Sequence, residues 1–311
     1  MSGEMIGVDL GGTKIAATVM SLRGETRWKH RVPTPAGDYE GTLNAIEGLV
    51  KSAIDHCIDS VPRSFGIGIP GEMSSDGRTV KNANSTCLIG QPLKDDLQAR
   101  LGMRVVIAND ANCFALSEAM DGAGGGAGVV FGVILGSGVG GGIVVHKRLI
   151  VGANRLTGEW GHNPMPLKGV MAKHRPCYCG YADCVETWLS GPAFARDYQD
   201  RTGLDCTAIE IAKLAEDGDL PASEVLDTYI TSLGRALSGI VNVLDPDVIV
   251  LGGGMSNIDR IYSSLPDRLA GFVFNATDQP VDLQTRIVKA RWGDDSGVRG
   301  AAWLTRLGDH A

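Results

Sequence analysis

The chain repeats one short design at two places, and that repetition limits the folds open to it. Met5 to Leu10 reads as an apolar strand, Gly11-Gly12-Thr13 as a turn, and Lys14 to Met20 as a second strand. Val129 to Val145 is built the same way, with LGSG at 135–138 standing where LGGT stands at 10–13. An internal copy of this kind predicts two similar domains facing each other. A length of 311 residues agrees, at roughly 150 residues per domain. Neither copy leads from strand into helix, so neither is a P-loop, which needs a glycine-rich turn ending in GK[ST] at a helix start. The parts still suit a phosphate. Paired glycines let backbone amides face an anion, Thr13 offers a hydroxyl and Lys14 a charge. Asp9, at the end of the first strand, suits Mg²⁺ held through water, since that ion takes few protein carboxylates. Taken alone, a plain β-hairpin whose glycines only turn the chain is the simpler reading. The copies are also unequal: Ile134 stands where Asp9 does, so one hairpin alone offers a metal-facing carboxylate.

A second dense feature runs from Gly158 to Glu186. It holds Glu159 and His162, then Cys177, Cys179 and Cys184, then Glu186. Three sulfurs and an imidazole complete a tetrahedral zinc shell with no place left for water, which is the structural kind of site. Such a site would pin a loop with few apolar residues and leave both glutamates free to bind something polar. The spacing is not that of a standard finger, and three unrelated thiols beside a satisfied histidine is the competing reading. Clustering in a chain without secretory features favours metal over disulfides. Cys57, Cys87, Cys113 and Cys206 are scattered and read as reduced, buried small residues.

A net charge of -7 argues against a nucleic-acid partner, which would demand basic patches. No apolar run approaches the roughly 20 residues of a membrane span, and the N-terminus lacks a signal-like core. A cytoplasmic protein is the expectation. Between the hairpins, helix and strand alternate: a helix from Tyr39 to Ile58, a strand from Ser64 to Ile69, a helix from Leu93 to Leu101 and a strand from Val105 to Ala108. KNANST at 81–86 reads as a polar loop whose amides could meet a hydroxylated ligand, or as ordinary surface. Asn109-Asp110 closes a strand and opens a helix, Ala111 to Met120. Ligands gather at such strand ends in open α/β sheets. Asp is also a good N-cap there, and a helix N-terminus favours the ionised carboxylate a base must have. Asp121 to Gly128 is a connector. Helices are expected at Trp188–Tyr198, Thr207–Glu216 and Ala222–Leu244, the last halted by Asp245-Pro246. Val248–Leu251 is a buried strand opening on Gly252-Gly253-Gly254, a turn that admits a flat base or a phosphate, or is merely tight. Gly293 to Leu304 begins polar and ends helical.

Together these pieces suit transfer of a phosphoryl group to a hydroxyl, a reaction run by positioning and charge neutralisation with a carboxylate taking the proton. Asn109, Glu159, His162 and Glu186 are the partner types a polyol needs. Nearly end to end, the chain resembles the ROK sugar kinases of the actin/hexokinase-like (ribonuclease H-like) ATPase superfamily. The resemblance rests on DLGGTK (9–14), GIPG (68–71), NDANCFALSEA (109–119), LGSGVGGG (135–142), GEWGH (158–162), CYCGYADCVE (177–186) and DPDVIVLGGG (245–254). KNANST, GEWGHNP and DSGVRGAAWL look most like the bacterial fructokinase (mannokinase) branch.

The resemblance implies an α/β fold of two duplicated domains with a cleft between them. Residues 1–120, joined by a final helix at about 295–311, would form the small domain, and 121–294 the large one. Asp110 would be the base for the sugar's 6-hydroxyl. Gly71, Asn84, Asn109, Asp110, Glu159, His162 and Glu186 would bind the sugar. Asp9, Gly11, Gly12, Thr13 and Lys14 in one hairpin, with Gly136, Ser137, Gly138 and Gly140 in the other, would hold the phosphates of ATP with Mg²⁺. Lys14 could instead serve structure. Gly253 and Gly254 would lie by the adenosine. His162, Cys177, Cys179 and Cys184 would bind Zn²⁺, His162 turning one ring nitrogen to metal and the other to sugar. Domain closure would exclude water, and a homodimer is usual in the family. D-fructose is the expected acceptor, with N-acetylglucosamine, mannose or glucose as alternatives. A sugar-sensing ROK repressor is remote, because those carry an N-terminal DNA-binding helical domain and the phosphate hairpin here begins at residue 5, leaving no room for one. A zinc-stabilised binding protein with a lost active site is opposed by Asp9 and Asp110. Two positions depart from the family pattern: Ser137 where Thr is common, and Asp183 where Gly usually precedes the last cysteine.

Overall fold

The computed structural model describes residues 3–83, 85–166, 174–276 and 281–307. In chain order the elements are β1 (Glu4–Leu10), β2 (Lys14–Ser21), β3 (Thr26–Pro33), α1 (Tyr39–Asp55), β4 (Ser64–Ile69), the short β5 (Glu72–Met73) and β6 (Val80–Lys81), α2 (Leu93–Leu101), β7 (Arg104–Asn109) and α3 (Asp110–Asp121). There follow β8 (Val129–Leu135), β9 (Val139–Val145), β10 (Arg148–Leu149), α4 (Glu186–Leu189), α5 (Gly191–Thr202), α6 (Ala208–Glu216), α7 (Leu220–Leu244), β11 (Val248–Gly252), α8 (Asp259–Ala270), β12 (Arg286–Lys289) and α9 (Ser296–Leu304). Contacts divide the chain into two compact units. One holds Met1–Gly126, Gly142–Thr157 and Arg291–Ala311, the other Ala127–Gly141 and Gly158–Ala290.

Two five-stranded sheets carry the fold. Their orders, β3-β2-β1-β4-β7 and β10-β9-β8-β11-β12, match position by position. In the first, β1 pairs antiparallel with β2 and parallel with β4, and β4 runs parallel to β7. In the second, β11 runs parallel to both β8 and β12. The repeated hairpin is therefore one corner of a repeated sheet, and this α/β fold is of the actin/hexokinase type.

Period-two alternation sorts the first sheet's side chains by face. Ile6, Val8 and Leu10 of β1, Ile15, Ala17 and Val19 of β2, and Phe65, Ile67 and Ile69 of β4 join one apolar core with Leu43, Ile46 and Val50 of α1 and Leu93 and Leu97 of α2. On the other face Gly7, Gly66 and Gly68 meet α9 and α3. A Cβ at Gly66 would lie 1.7 Å from the carbonyl oxygen of Ala301, one at Gly7 would lie 2.3 Å from that of Val298, and one at Gly300 would lie 1.7 Å from that of Cys113. Only glycine permits backbone to approach so closely. Helix α9 is thus laid directly on the sheet.

The glycine contacts are locked by a buried carboxylate. Glu118 of α3 has no exposed surface. It accepts from the amides of Ala123 (2.8 Å), Arg291 (3.0 Å) and Trp292 (3.1 Å) and from Ser296 Oγ (2.9 Å). Beside it the buried Arg299 pairs with Asp121 and lies 3.6 Å from the Trp292 ring centre. Arg299 also donates to the Gly24 carbonyl at 2.8 Å.

Capping explains most of the helix limits. Asp38 and Asp219 accept from the amides of Gly41 and Ala222, and Thr207 with Glu210 forms a capping box. Asp245 ends α7 in the left-handed region at φ 47°, before Pro246. The helix expected over 188–198 is two helices: Ser190 is extended and caps α5 through the Ala193 amide. Strands β3 and β12 and helix α8 are absent from the expectations, although Ile261, Leu265 and Leu269 of α8 recur at helical spacing around Pro266. Strand β3 (TRWKHRVP) is a largely exposed edge in which Trp28, His30 and Val32 alternate with Arg27, Lys29 and Arg31, and Trp28 and Val32 are partly buried against the core. Among the described residues no helix is long and apolar enough to cross a membrane.

Gly66→Ala should lose about 3 kcal/mol, because its methyl meets main chain, which cannot rotate aside. Calorimetry should show Tm falling by roughly 5–10 °C; an unchanged Tm would mean that α9 does not seat on this strand.

Candidate functional site

In the first unit the site is assembled at the carboxyl ends of β1, β4 and β7. Register places Arg31, Ala16, Asp9, Gly68 and Ala108 in one row across the five strands. Small neighbours leave Asp9 as the row's central polar group. A Cβ at Gly297, on the first turn of α9, would come within 2.9 Å of its Oδ2. Burial and then the nearby Asp110 charge raise the Asp9 carboxyl to about 6, against the pull of Lys14 and Arg31. Burial is the larger cause, and the Asp110 charge adds to it.

The hairpin beside Asp9 is tied at both ends. Gly11 donates to the Lys14 carbonyl (3.0 Å), Thr34 donates to the Thr13 carbonyl (3.0 Å), and Thr34 Oγ1 donates to the Gly11 carbonyl (2.7 Å). Gly12 and Thr13 are exposed, with nothing near a Cβ at Gly12. Lys14 is exposed as well, and its Nζ lies 3.9 Å from Asp294. The next residue, Asp295, gathers Lys29 at 2.7 Å and Arg31 at 2.9 Å. These acidic partners stand in the turn just before α9, far from the hairpin in sequence.

Asn109, rather than Asp110, caps α3. Its Oδ1 accepts from the Ala111 amide (2.9 Å), and its Nδ2 donates to the Gly71 carbonyl (3.1 Å). Asp110 is the helix's first residue, and its Oδ1 accepts from the same Ala111 amide at 2.8 Å. The reading of Asp110 as N-cap thus passes to its neighbour, and the Asp110 carboxylate sits in the positive field of the helix start. Gly71 has no room for a side chain: a Cβ would meet Ala83 Cα at 2.8 Å and the Lys81 carbonyl at 2.9 Å. Asn84 lies outside the described residues.

In the second unit, Gly136 donates to the Gly138 carbonyl (2.9 Å), closing the second turn. Ser137 is exposed at its tip. Three groups fix this hairpin from outside. The Gly191 amide, opening α5, donates to the Gly136 carbonyl at 2.8 Å. Glu186 accepts from the Val139 amide at 2.9 Å. Trp160 Nε1 donates to the Gly140 carbonyl at 2.9 Å. Gly253, at φ 82°, would drive a Cβ to 2.5 Å from the Leu135 carbonyl, so the glycine triplet lies against the hairpin's first strand. A cavity of about 770 Å³ opens beside it, lined by Gly136, Ser137 and Gly254 and by Ile209, Ala212 and Lys213 of α6. Its apolar wall suits a flat aromatic ring. Helix α6 escaped sequence reasoning as a binding element, because Ile209 and Ala212 look like ordinary helix surface.

The same unit brings His162, Cys177, Cys179 and Cys184 together, their ligand atoms all within 4.8 Å of one another. Cys177 Sγ lies 3.6 Å from His162 Nδ1, and Cys179 Sγ lies 3.5 Å from Cys184 Sγ. All three thiols are free. Zinc bound by sulfur at about 2.3 Å gives tetrahedral edges of roughly 3.8 Å, close to these separations. The donor set and spacing fit a closed structural zinc site. Asp183, where the resemblance leads one to expect glycine, stands at φ 59°. Its carboxylate accepts from the Arg175 amide (2.9 Å) and meets His174 Nδ1 at 2.7 Å. Asp is among the residues that tolerate this left-handed conformation, and the hydrogen bonds hold the turn before Cys184. Glu159 precedes the short turn Trp160–His162, its carbonyl accepting from the His162 amide at 3.1 Å. Tyr178, unnoticed in the sequence, places its hydroxyl 3.0 Å from His162 Nε2.

The sequence matches the ROK family over residues 5–307. It is 43% identical over 303 residues to N-acetyl-D-glucosamine kinase of Citrobacter koseri, covering 96% of this chain and 98% of that protein. Among solved structures it is similar to the ROK hexokinase of Thermus thermophilus, with TM-score 0.84, 27% identity and 97% of each chain covered. It is also similar to a ROK family glucokinase of Streptomyces griseus, solved with glucose and AMPPNP, with TM-score 0.78, 30% identity, and 98% of this chain and 100% of that one covered.

Because Asp9's carboxyl is raised in the folded chain, its ionisation opposes folding. That penalty is absent below about pH 4 and complete above about pH 6. Ligand-free Asp9→Asn should therefore gain a few degrees in Tm near pH 7.5 and clearly less near pH 5. Equal gains at both values, by calorimetry, would put the source elsewhere.

Proposed function

The chain belongs to the ROK family, and we propose that it is an ATP-dependent kinase that phosphorylates N-acetyl-D-glucosamine at its 6-hydroxyl. The observation that carries the choice of sugar is the near full-length identity to N-acetyl-D-glucosamine kinases, 43% in one and 40% in that of Yersinia pseudotuberculosis. D-Fructose, the acceptor suggested by the motifs, gives way to it. Those motifs mark the shared kinase machinery and not the sugar. Glucose stays as a second reading, favoured by the likeness to the Streptomyces griseus glucokinase.

On this reading the first unit supplies Asp110 as base and Asn109, with Gly71 behind it, as a fixed partner for the sugar. Asp110 accepts the proton of the 6-hydroxyl, the freed oxygen bonds to the γ-phosphorus, and the bond from that phosphorus to the β-phosphate bridge breaks, leaving ADP. Asp110 needs no deep burial for this. Its task is to be ionised and aimed, and a helix start provides for both. Gly11, Gly12, Thr13 and Lys14 would meet phosphate. Asp9 would hold Mg²⁺, whose part is to offset phosphate charge. The second unit supplies Gly136 to Gly140 for phosphate, the cavity by Gly254 for the base, and Glu159, His162 and Glu186 for the sugar's hydroxyls. Glu186 already accepts from the Val139 amide, so a sugar held by that carboxylate would be coupled to the phosphate hairpin. His162, Cys177, Cys179 and Cys184 would bind Zn²⁺ as a fastener for the loop. The reading includes a cytoplasmic homodimer.

A coupled assay of ADP release across N-acetylglucosamine, glucose, mannose and fructose tests the proposal. The expected result is the highest kcat/KM for N-acetylglucosamine, with Asp110→Asn losing at least about a hundredfold in kcat. A preference for fructose, or near-normal turnover by the variant, would overturn the corresponding part. For the metal, Cys179→Ser should lose zinc and thermal stability together. Elemental analysis finding an unchanged zinc content would remove the ligand assignment.

A further inference from the structure

Tyr178 lies between two of the clustered cysteines, yet its side chain is 76% exposed. Packing is not what positions it. Its hydroxyl instead reaches His162 Nε2 at 3.0 Å, with the two rings edge to face at 86° and their centres 5.2 Å apart. His162 turns its other nitrogen, Nδ1, to Cys177 Sγ at 3.6 Å. If Nδ1 serves the sulfur cluster, Nε2 carries the ring's proton and is a donor. That single N–H has one direction to give, and the Tyr178 oxygen lies in it. The proposed function asks the same N–H to donate to a hydroxyl of the sugar. Two hydroxyls then need one donor.

We propose that Tyr178 is a built-in competitor of the sugar: its hydroxyl holds His162 Nε2 in the ligand-free protein and is displaced when a sugar hydroxyl takes that N–H. The inference rests on the sugar-kinase reading. Displacement is mechanically easy, since an exposed side chain changes rotamer on the picosecond to nanosecond scale. The cost falls on binding. The sugar exchanges one hydrogen bond to His162 for another instead of adding one, so part of its affinity is spent in advance. A selective consequence follows. A sugar with no hydroxyl at this point cannot recover that cost, since Tyr178 stays in place against it.

The test is calorimetric titration of N-acetyl-D-glucosamine alone into the zinc-containing full chain, as wild type and as Tyr178→Phe. The phenylalanine keeps the ring and removes the hydroxyl. It should bind the sugar about fivefold more tightly, the worth of one net hydrogen bond, with zinc content, Tm and kcat unchanged. Repeating the pair with singly deoxygenated N-acetylglucosamines should abolish the gain for one analogue only, the one lacking the hydroxyl that meets His162. Equal or weaker binding by Tyr178→Phe with zinc retained would overturn the proposal. Loss of zinc from that variant would overturn it too, by making Tyr178 a prop of the cluster. Wild-type protein that binds none of the four hexoses would sink the kinase reading itself, and this inference with it.

Discussion

A single carboxylate with no exposed surface holds the first unit together. Glu118 takes hydrogen bonds from three backbone amides and a serine, and three of those donors come from a segment more than 170 positions further along the chain. Left unpaired, such a charge would cost several kcal/mol. The chain end must therefore return to α3 for Glu118 to be satisfied. Once it does, the first turn of α9 lies against Asp9, and Asp110 is carried by the same helix as Glu118. The glycines at 7, 66 and 300 are the steric half of this arrangement. They let main chain touch main chain, so small shifts in α9 would reach the strand ends directly.

The second unit solves a different problem. Among the described residues between Gly158 and Glu186, several side chains reach out to neighbouring backbone and rings. Trp160 and Glu186 grip the β9 backbone at Gly140 and Val139, and Arg175 pairs with Asp197 while lying 3.5 Å from the Trp188 ring centre. Residues read as ligand-binding thus also carry structure. Glu186 is the clearest example: read as a partner for a polyol, its carboxylate accepts from the Val139 amide and so supports the β9 backbone.

Much of this was legible because it is local. A glycine turn between apolar strands, a helix after Asn109-Asp110 and three close cysteines each declare themselves within a few residues. The duplication was visible for the same reason, as LGGT and LGSG. What stayed hidden depends on distant partners. Nothing near Lys14 in sequence announces Asp294, and nothing near Asp9 announces Gly297. Ile209 becomes a cavity wall only because α6 is packed against the turn at Gly254. Strand β3 alternates Trp28, His30 and Val32 with Arg27, Lys29 and Arg31, but with two of its three inner positions only partly apolar or small it carries a weaker signal than the buried strands. The sugar was the least legible part for a further reason: the motifs that identify the family are those of the kinase machinery as a whole and do not by themselves separate one hexose from another.

That edge strand has a bearing on how the protein behaves when crowded. An open edge offers unpaired amides and carbonyls to any passing strand. Here Arg27, Lys29 and Arg31 stand along it, engaged with Glu4, Asp59 and Asp295, and Pro33 removes a donor at its end. A neighbour seeking to extend the sheet would have to strip three cations from their counter-ions and find one amide missing. The same charges that frame the Asp9 row thereby protect the molecule from stacking into fibrils.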